Sequence, residues 1–207
     1  MVAQPKQGIR QKYSRSVVNQ PDRVVAIASS MGGIDALTKV VSGLPDDFPA
    51  AIVLVQHLSP KHKSYLTQII ARNTNLQVKQ AEDGMVLCAG TIYVTPPNKH
   101  LIINPNETIS LSDAPKEHFV RPSAEYTFKS LAESYREKAI AIVLTGCDGD
   151  GQEGVRVVKE MGGKVIAQNR ETSKAFSMPE SAIETGCVDL ILPINEITDG
   201  IVNMVFS

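Results

Sequence analysis

The sequence has 207 residues, 43% hydrophobic and 21% charged, with 14 glycines and 12 prolines, an ordinary globular composition that excludes collagen-like and low-complexity chains. A formal net charge of −1 gives no electrostatic case for nucleic acid as a partner. Cys88, Cys147 and Cys187 form no C-x-x-C pair, which argues against a disulfide framework or a zinc knuckle and fits a reducing, cytoplasmic setting.

Residues 1–23 hold Lys6, Arg10, Lys12, Arg15 and Arg23 against Asp22 alone and lack periodicity, so a flexible basic arm is expected there, followed by one folded domain over 24–207. From Val24 short apolar runs alternate with amphipathic stretches. Residues 24–29 read as a buried strand and 34–43 as the helix after it; 51–56 read as a second strand, with a helix over about 63–72. Short strands at 91–95, 100–103 and 108–111 are parted by Pro96-Pro97-Asn98 and Asn104-Pro105-Asn106, turn signals that predict an antiparallel meander. Pro122 is expected in the first turn of a helix reaching about residue 138. Residues 139–145 form a strand followed by a helix over about 152–161. Two more strands are expected at 163–168 and 188–192, with helices near 179–185 and 195–205. This alternation predicts an α/β fold: a doubly wound, mostly parallel sheet with helices on both faces and an antiparallel hairpin insert. No apolar run is long enough to span a bilayer, so direct membrane insertion is not expected; residues 1–23 have no apolar core of the signal-peptide kind.

In an open parallel sheet, ligands bind beyond the carboxyl ends of the strands. The first strand ends in Ala28-Ser29-Ser30-Met31-Gly32-Gly33, the second in Gln56-His57, and the 139–145 strand in Thr145-Gly146-Cys147-Asp148-Gly149-Asp150-Gly151. Three loops on one edge thus supply serines, a histidine and two aspartates, the groups needed for a hydroxyl nucleophile, its base and an orienter. Gly32 and Gly33 alone do not make a dinucleotide fingerprint, no Walker lysine follows them, and an acidic residue does not close the second strand. Either serine is also suited to capping the helix that follows. Asp148-Gly149-Asp150 lacks the remaining ligands of a calcium loop, so neither metal nor cofactor is expected. Cys147, Met161, Met178 and Met204 read as packing residues, and His62, His100 and His118 as surface or turn residues; Met178 also stands where the 176–179 turn would reach the same edge.

The chain resembles the catalytic domain of CheB-type protein-glutamate methylesterases, the chemotaxis adaptation enzymes, from about residue 24 to residue 197. Ile27-Ala-Ser-Ser-Met-Gly-Gly33 is similar to the family's I-G-A-S-T-G-G, and Leu144-Thr-Gly-Cys-Asp-Gly-Asp-Gly151 to L-T-G-M-G-x-D-G. Val55-Gln-His57, Ala81-Glu-Asp-Gly84, Arg121-Pro-Ser123, Ala167-Gln-Asn169 and Phe176-Ser-Met-Pro179 add to the likeness. The resemblance implies Ser30 as nucleophile, His57 as general base and Asp150 as the carboxylate orienting it. It further implies hydrolysis of glutamate γ-methyl esters on methylated chemoreceptor-type proteins, releasing methanol, and deamidation of receptor glutamines by analogous chemistry. With those roles, backbone N–H groups of Met31 and Cys147 would hold the oxyanion, and Ser29, Gly32, Gly33, Asp148 and Met178 would line the site.

The chain departs from the family pattern at Ala28, Met31, Asp148 and Val120, where the family has glycine, threonine, glycine and histidine. Asp148 adds a second carboxylate near Asp150, able either to raise a neighbouring pKa or to strengthen an imidazolium. The family's typical member carries an N-terminal receiver domain that 23 residues cannot form, so a stand-alone catalytic domain is expected. A non-catalytic binding module of the same fold and a same-mechanism esterase for another ester are the competing readings.

Overall fold

The computed structural model describes residues 19–58 and 64–207. The expected arm therefore lies mostly outside the described residues, as does His62. Among the described residues nine strands and six α-helices follow one another: β1 (Val24–Ser29), α1 (Gly33–Ser42), β2 (Ala51–Gln56), α2 (Leu66–Ala71), β3 (Gln77–Gln80), β4 (Thr91–Val94), β5 (His100–Ile103) and β6 (Ile109–Ser112) come first. Then come α3 (Ala124–Tyr135) with a 3-10 turn at Arg136–Lys138, β7 (Ala139–Val143), α4 (Gln152–Glu160), β8 (Lys164–Gln168), α5 (Ser177–Glu184), β9 (Leu190–Leu192) and α6 (Ile194–Phe206).

Seven strands form a parallel sheet in the order β3-β4-β2-β1-β7-β8-β9. The central strands β1, β2 and β7 are buried at every position, which is why they read as unbroken apolar runs rather than as alternation. Successive side chains still divide between two cores. Val24, Ala26 and Ala28 pack with Phe128, Leu131, Val155 and Met178 from α3, α4 and α5. Val25 and Ile27 pack with Leu37, Val40, Ile70 and Ile201 from α1, α2 and α6. The doubly wound arrangement follows directly from those two apolar faces.

The meander is smaller than its turn signals predict. Only β5 and β6 pair antiparallel; β4 lies inside the main sheet, parallel to β2 and β3. Its four residues are all buried, a burial that a hairpin insert would not provide. The 122–138 helix also begins later than expected: Ser123 is the N-cap of α3, and Pro122 lies before the helix rather than in its first turn. The Ser123 hydroxyl accepts from Glu125 N–H, which satisfies a donor that proline cannot.

Candidate active site

β1 is followed by a helix on one face of the sheet and its neighbour β7 by a helix on the other. Their outgoing loops diverge at the carboxyl edge, the place where an open sheet forms a crevice. The Ser29–Gly33, Gln56–His57 and Thr145–Gly151 segments all leave from this edge.

Gln56 joins the first two loops. Parallel pairing sets Ser29 opposite Gln56, and Ser29 Oγ donates to Gln56 Oε1 at 2.7 Å. Gln56 Nε2 donates in turn to the carbonyls of Ser30 (2.8 Å) and His57 (3.0 Å), while His57 N–H donates to Ser29 O at 3.0 Å. These bonds set Ser30 and His57 side by side. A Cβ on Gly33 would lie 2.2 Å from Gln56 Oε1 and 2.6 Å from Ser29 Oγ, so only glycine leaves room for that clasp. The N-cap of α1 is Gly32, at φ +79 and with no side-chain cap bond; the capping role open to either serine is not taken. Ser29 is buried and occupied with Gln56. Ser30 is partly exposed, its N–H donates to Thr145 O at 3.0 Å, and its Oγ makes no hydrogen bond among the described residues.

His57 and Asp150 are in direct contact. His57 Nε2 lies 2.7 Å from Asp150 Oδ2, and the carboxylate also accepts from Ser123 Oγ (2.5 Å) and Ala124 N–H (2.6 Å) at the start of α3. Burial alone would raise the Asp150 pKa; the hydrogen bond and charge of His57 and the bonds from Ser123 and Ala124 outweigh it and keep the carboxyl below its ordinary value. Asp148 Oδ2 lies 3.4 Å from His57 Nδ1, and its other oxygen accepts from Asp150 N–H at 3.1 Å. Nδ1 is buried and has no aligned hydrogen-bond partner among the described residues. Burial by itself would lower the pKa of His57, but its two carboxylate neighbours raise it to about 9.

Two backbone donors of these loops have no acceptor among the described residues. The N–H groups of Met31 and Cys147 donate to no described residue, whereas Gly146 N–H is engaged with Ala175 O at 2.9 Å. Cys147 Sγ lies 3.7 Å from Met31 Sδ, which brings the two donors' residues together. Gly146 permits this closeness: a Cβ there would fall 2.2 Å from Met178 Sδ and 2.9 Å from Ser30 Cβ. Met178 is therefore a wall beside Ser30. Cys147 is exposed, contrary to the packing role expected of it. His100 is another correction: it is fully buried on β5, stacked on Tyr126 and bonded to Pro115 O. Among the described residues no group of histidines, cysteines and carboxylates is suited to a metal ion.

Local sequence pattern assigns no role to the supporting residues Gln56, Ser123 and Glu125. Gln56 and Ser123 fall in stretches that carry the family likeness. Glu125 carries a different signal, a carboxylate in the first turn of a helix whose neighbours at 124, 127 and 128 are buried.

The CheB methylesterase family model matches residues 25–201. The chain is 41% identical to protein-glutamate methylesterase/protein-glutamine glutaminase 2 of Anaeromyxobacter dehalogenans over 84% of its own length and 51% of that protein. It is 38% identical to the Thermotoga maritima protein-glutamate methylesterase/protein-glutamine glutaminase over 94% of this chain and 58% of that one. The chain thus spans a little over half the length of these curated relatives, although a Leptospira interrogans relative, 35% identical, is covered over 91% of its length. The crystal structure of the Thermotoga maritima CheB methylesterase catalytic domain superposes with a TM-score of 0.85 at 37% identity, covering 88% of this chain and 98% of that one.

Proposed function

The chain belongs to the CheB methylesterase family, and from that membership and the geometry of its site we propose that it is a serine esterase acting on glutamate γ-methyl esters of chemoreceptor-type proteins. In this reading residues 24–207 are the catalytic unit, Ser30 is the nucleophile, His57 the base and Asp150 its orienter. The single observation that carries it is the buried His57–Asp150 pair (2.7 Å) beside a serine whose Oγ is uncommitted among the described residues.

With Nε2 donating to Asp150, Nδ1 is the nitrogen left to take the Ser30 proton as Oγ attacks the ester carbonyl. Asp150 fixes that tautomer and stabilises the imidazolium that results. Its anchoring by Ser123 and Ala124 keeps it ionised and in place. Negative charge developing on the carbonyl oxygen meets the uncommitted N–H groups of Met31 and Cys147, a donor of this kind being worth about 3 kcal/mol. His57 then returns its proton to the departing methoxide, methanol leaves, and a water deprotonated by the same ring frees the glutamate. Deamidation of a glutamine follows the same path with ammonia as leaving group, in keeping with the glutaminase half of the relatives' names.

Ser30→Ala should abolish release of methanol from methyl-labelled receptor, a loss of about 10⁶ in kcat for a triad acting as a unit. Ser29→Ala, in the clasp but not at the reacting atom, should lose far less. An active Ser30→Ala with a dead Ser29→Ala would overturn the assignment. Turnover of small esters but never of receptor esters would overturn the substrate.

A further inference from the structure

Asp148 stands where the family pattern has glycine, and the catalytic reading gives it no task. Its position is nevertheless built: Oδ1 is tied to Asp150 N–H (3.1 Å), which turns Oδ2 toward His57 Nδ1 at 3.4 Å. The imidazole is then flanked by carboxylates on both nitrogens, with its side chain only 8% exposed. A neutral ring that donates from Nε2 to Asp150 presents the lone pair of Nδ1 to a carboxylate oxygen, which is repulsive in a buried site. A ring protonated on both nitrogens is instead attracted to both carboxylates, through the aligned bond from Nε2 to Asp150 and through charge across the 3.4 Å gap to Asp148. Among the described residues, the charged groups facing His57 are these two aspartates, both from the loop between β7 and α4. His100 feels the charges of Arg121 and Asp150, and neither His100 nor Arg121 is among the main influences on His57.

We propose that Asp148 is a positioning residue that competes with Ser30 for Nδ1 of His57, holding the ring in its doubly protonated resting form and making base catalysis conditional on release of that nitrogen. The inference rests on the esterase reading for its consequence, not for its geometry. In the resting form Nδ1 and Nε2 each carry a proton. Activation transfers the Nδ1 proton to solvent water or hydroxide; the freed lone pair then takes the proton of Ser30 as the Oγ–carbon bond forms and the carbonyl π pair moves to oxygen. The raised pKa of about 9 agrees with this order of events. Asp148 therefore lowers the fraction of competent base at neutral pH while making that base stronger, two effects of opposite sign on rate.

The test is a ring-nitrogen NMR titration of His57 in the full chain, together with pH–rate profiles on p-nitrophenyl acetate. In Asp148→Asn, which keeps an oxygen for Asp150 N–H, the proton affinity of His57 should fall about tenfold or more. The rate at pH 7 should then rise about threefold and the alkaline plateau fall by a similar factor, so that the profiles cross. Asp148→Gly should give the same crossing if the amide is poorly tolerated. An unmoved titration, or a rate that falls at every pH in both variants, refutes the role of Asp148. Absence of esterase activity in the wild type, with the titration moving as stated, instead refutes the esterase reading and leaves Asp148's hold on the ring established.

Discussion

At the scale of single residues, the site is a set of backbone positions fixed by buried side chains that do no chemistry. Gln56 is 4% exposed and uses its carbonyl on Ser29 and its amide on Ser30 and His57. Replacing it with leucine removes the acceptor for the Ser29 hydroxyl and the donor for the His57 carbonyl, each worth about 1–3 kcal/mol when left unpaired, while the Ser30 carbonyl keeps the N–H of Gly33. Gln56→Leu should therefore lose about 2–4 kcal/mol in urea unfolding, and its kcat on a small ester should fall about 10²-fold as Ser30 and His57 drift apart. An unchanged kcat would show that Ser30 and His57 hold their places without the clasp. The residues with reactive groups were legible because serine, histidine and aspartate ended three apolar strands. The choice between Ser29 and Ser30 was not legible from local chemistry, since both are hydroxyls in one turn. The family likeness made that choice; in the structure Ser29 Oγ is bonded to Gln56, while Ser30 Oγ makes no hydrogen bond among the described residues. Asp148 and Asp150 pose the same problem, and both prove to face the ring.

At the scale of elements, the central strands and the helices around them were legible because full burial leaves continuous apolar runs. The failures have physical causes. β3 (Gln77–Gln80) is a polar edge strand with no buried residue, so its sequence carries no apolar signal, and β4 was drawn into the meander by the prolines that follow it. Nor does local pattern show how α3 and α4 are coupled. The N-cap of α4 is Gly151 at φ +93, which offers no side chain. Glu125 of α3 supplies the cap instead, accepting from the N–H groups of Gly151 (3.1 Å), Glu153 (3.0 Å) and Gly154 (2.6 Å). Burial raises its pKa despite those bonds and the charge of Lys129, yet a carboxylate at a helix N-terminus also gains from the helix dipole. Because the first of these donors directly follows Asp150, Glu125 holds Asp150 from one side while Ser123 and Ala124 hold it from the other. Glu125→Ala orphans three donors, and about 2–4 kcal/mol of stability should be lost, together with a reduced kcat at nearly constant KM. If the unfolding midpoint stayed at the wild-type value, the cap would have to be supplied by water.

At the scale of the whole molecule, the site lies across the seam between the two halves of the sheet. His57 leaves β2 on one side, Asp150 follows β7 on the other, and α3 closes over both. Protonation of the site is consequently linked to folding as a unit. The pKa of His57 in the folded chain is raised from 6.5 to about 9, so the native state binds the proton more tightly than the unfolded chain does. The stabilisation this confers is complete below about pH 6.5 and is lost as pH rises through 9, amounting to about 3 kcal/mol for a shift of this size. Asp150 works in the opposite direction, its lowered pKa giving stability that disappears only as pH falls through the folded value, below the ordinary carboxylate range. Thermal unfolding of the wild type and of His57→Gln should therefore differ most near pH 6 and converge toward pH 10. A difference that stayed constant across that range would mean that the ring is not held charged in the folded protein, and the two-sided carboxylate grip would then be a feature of shape without thermodynamic weight.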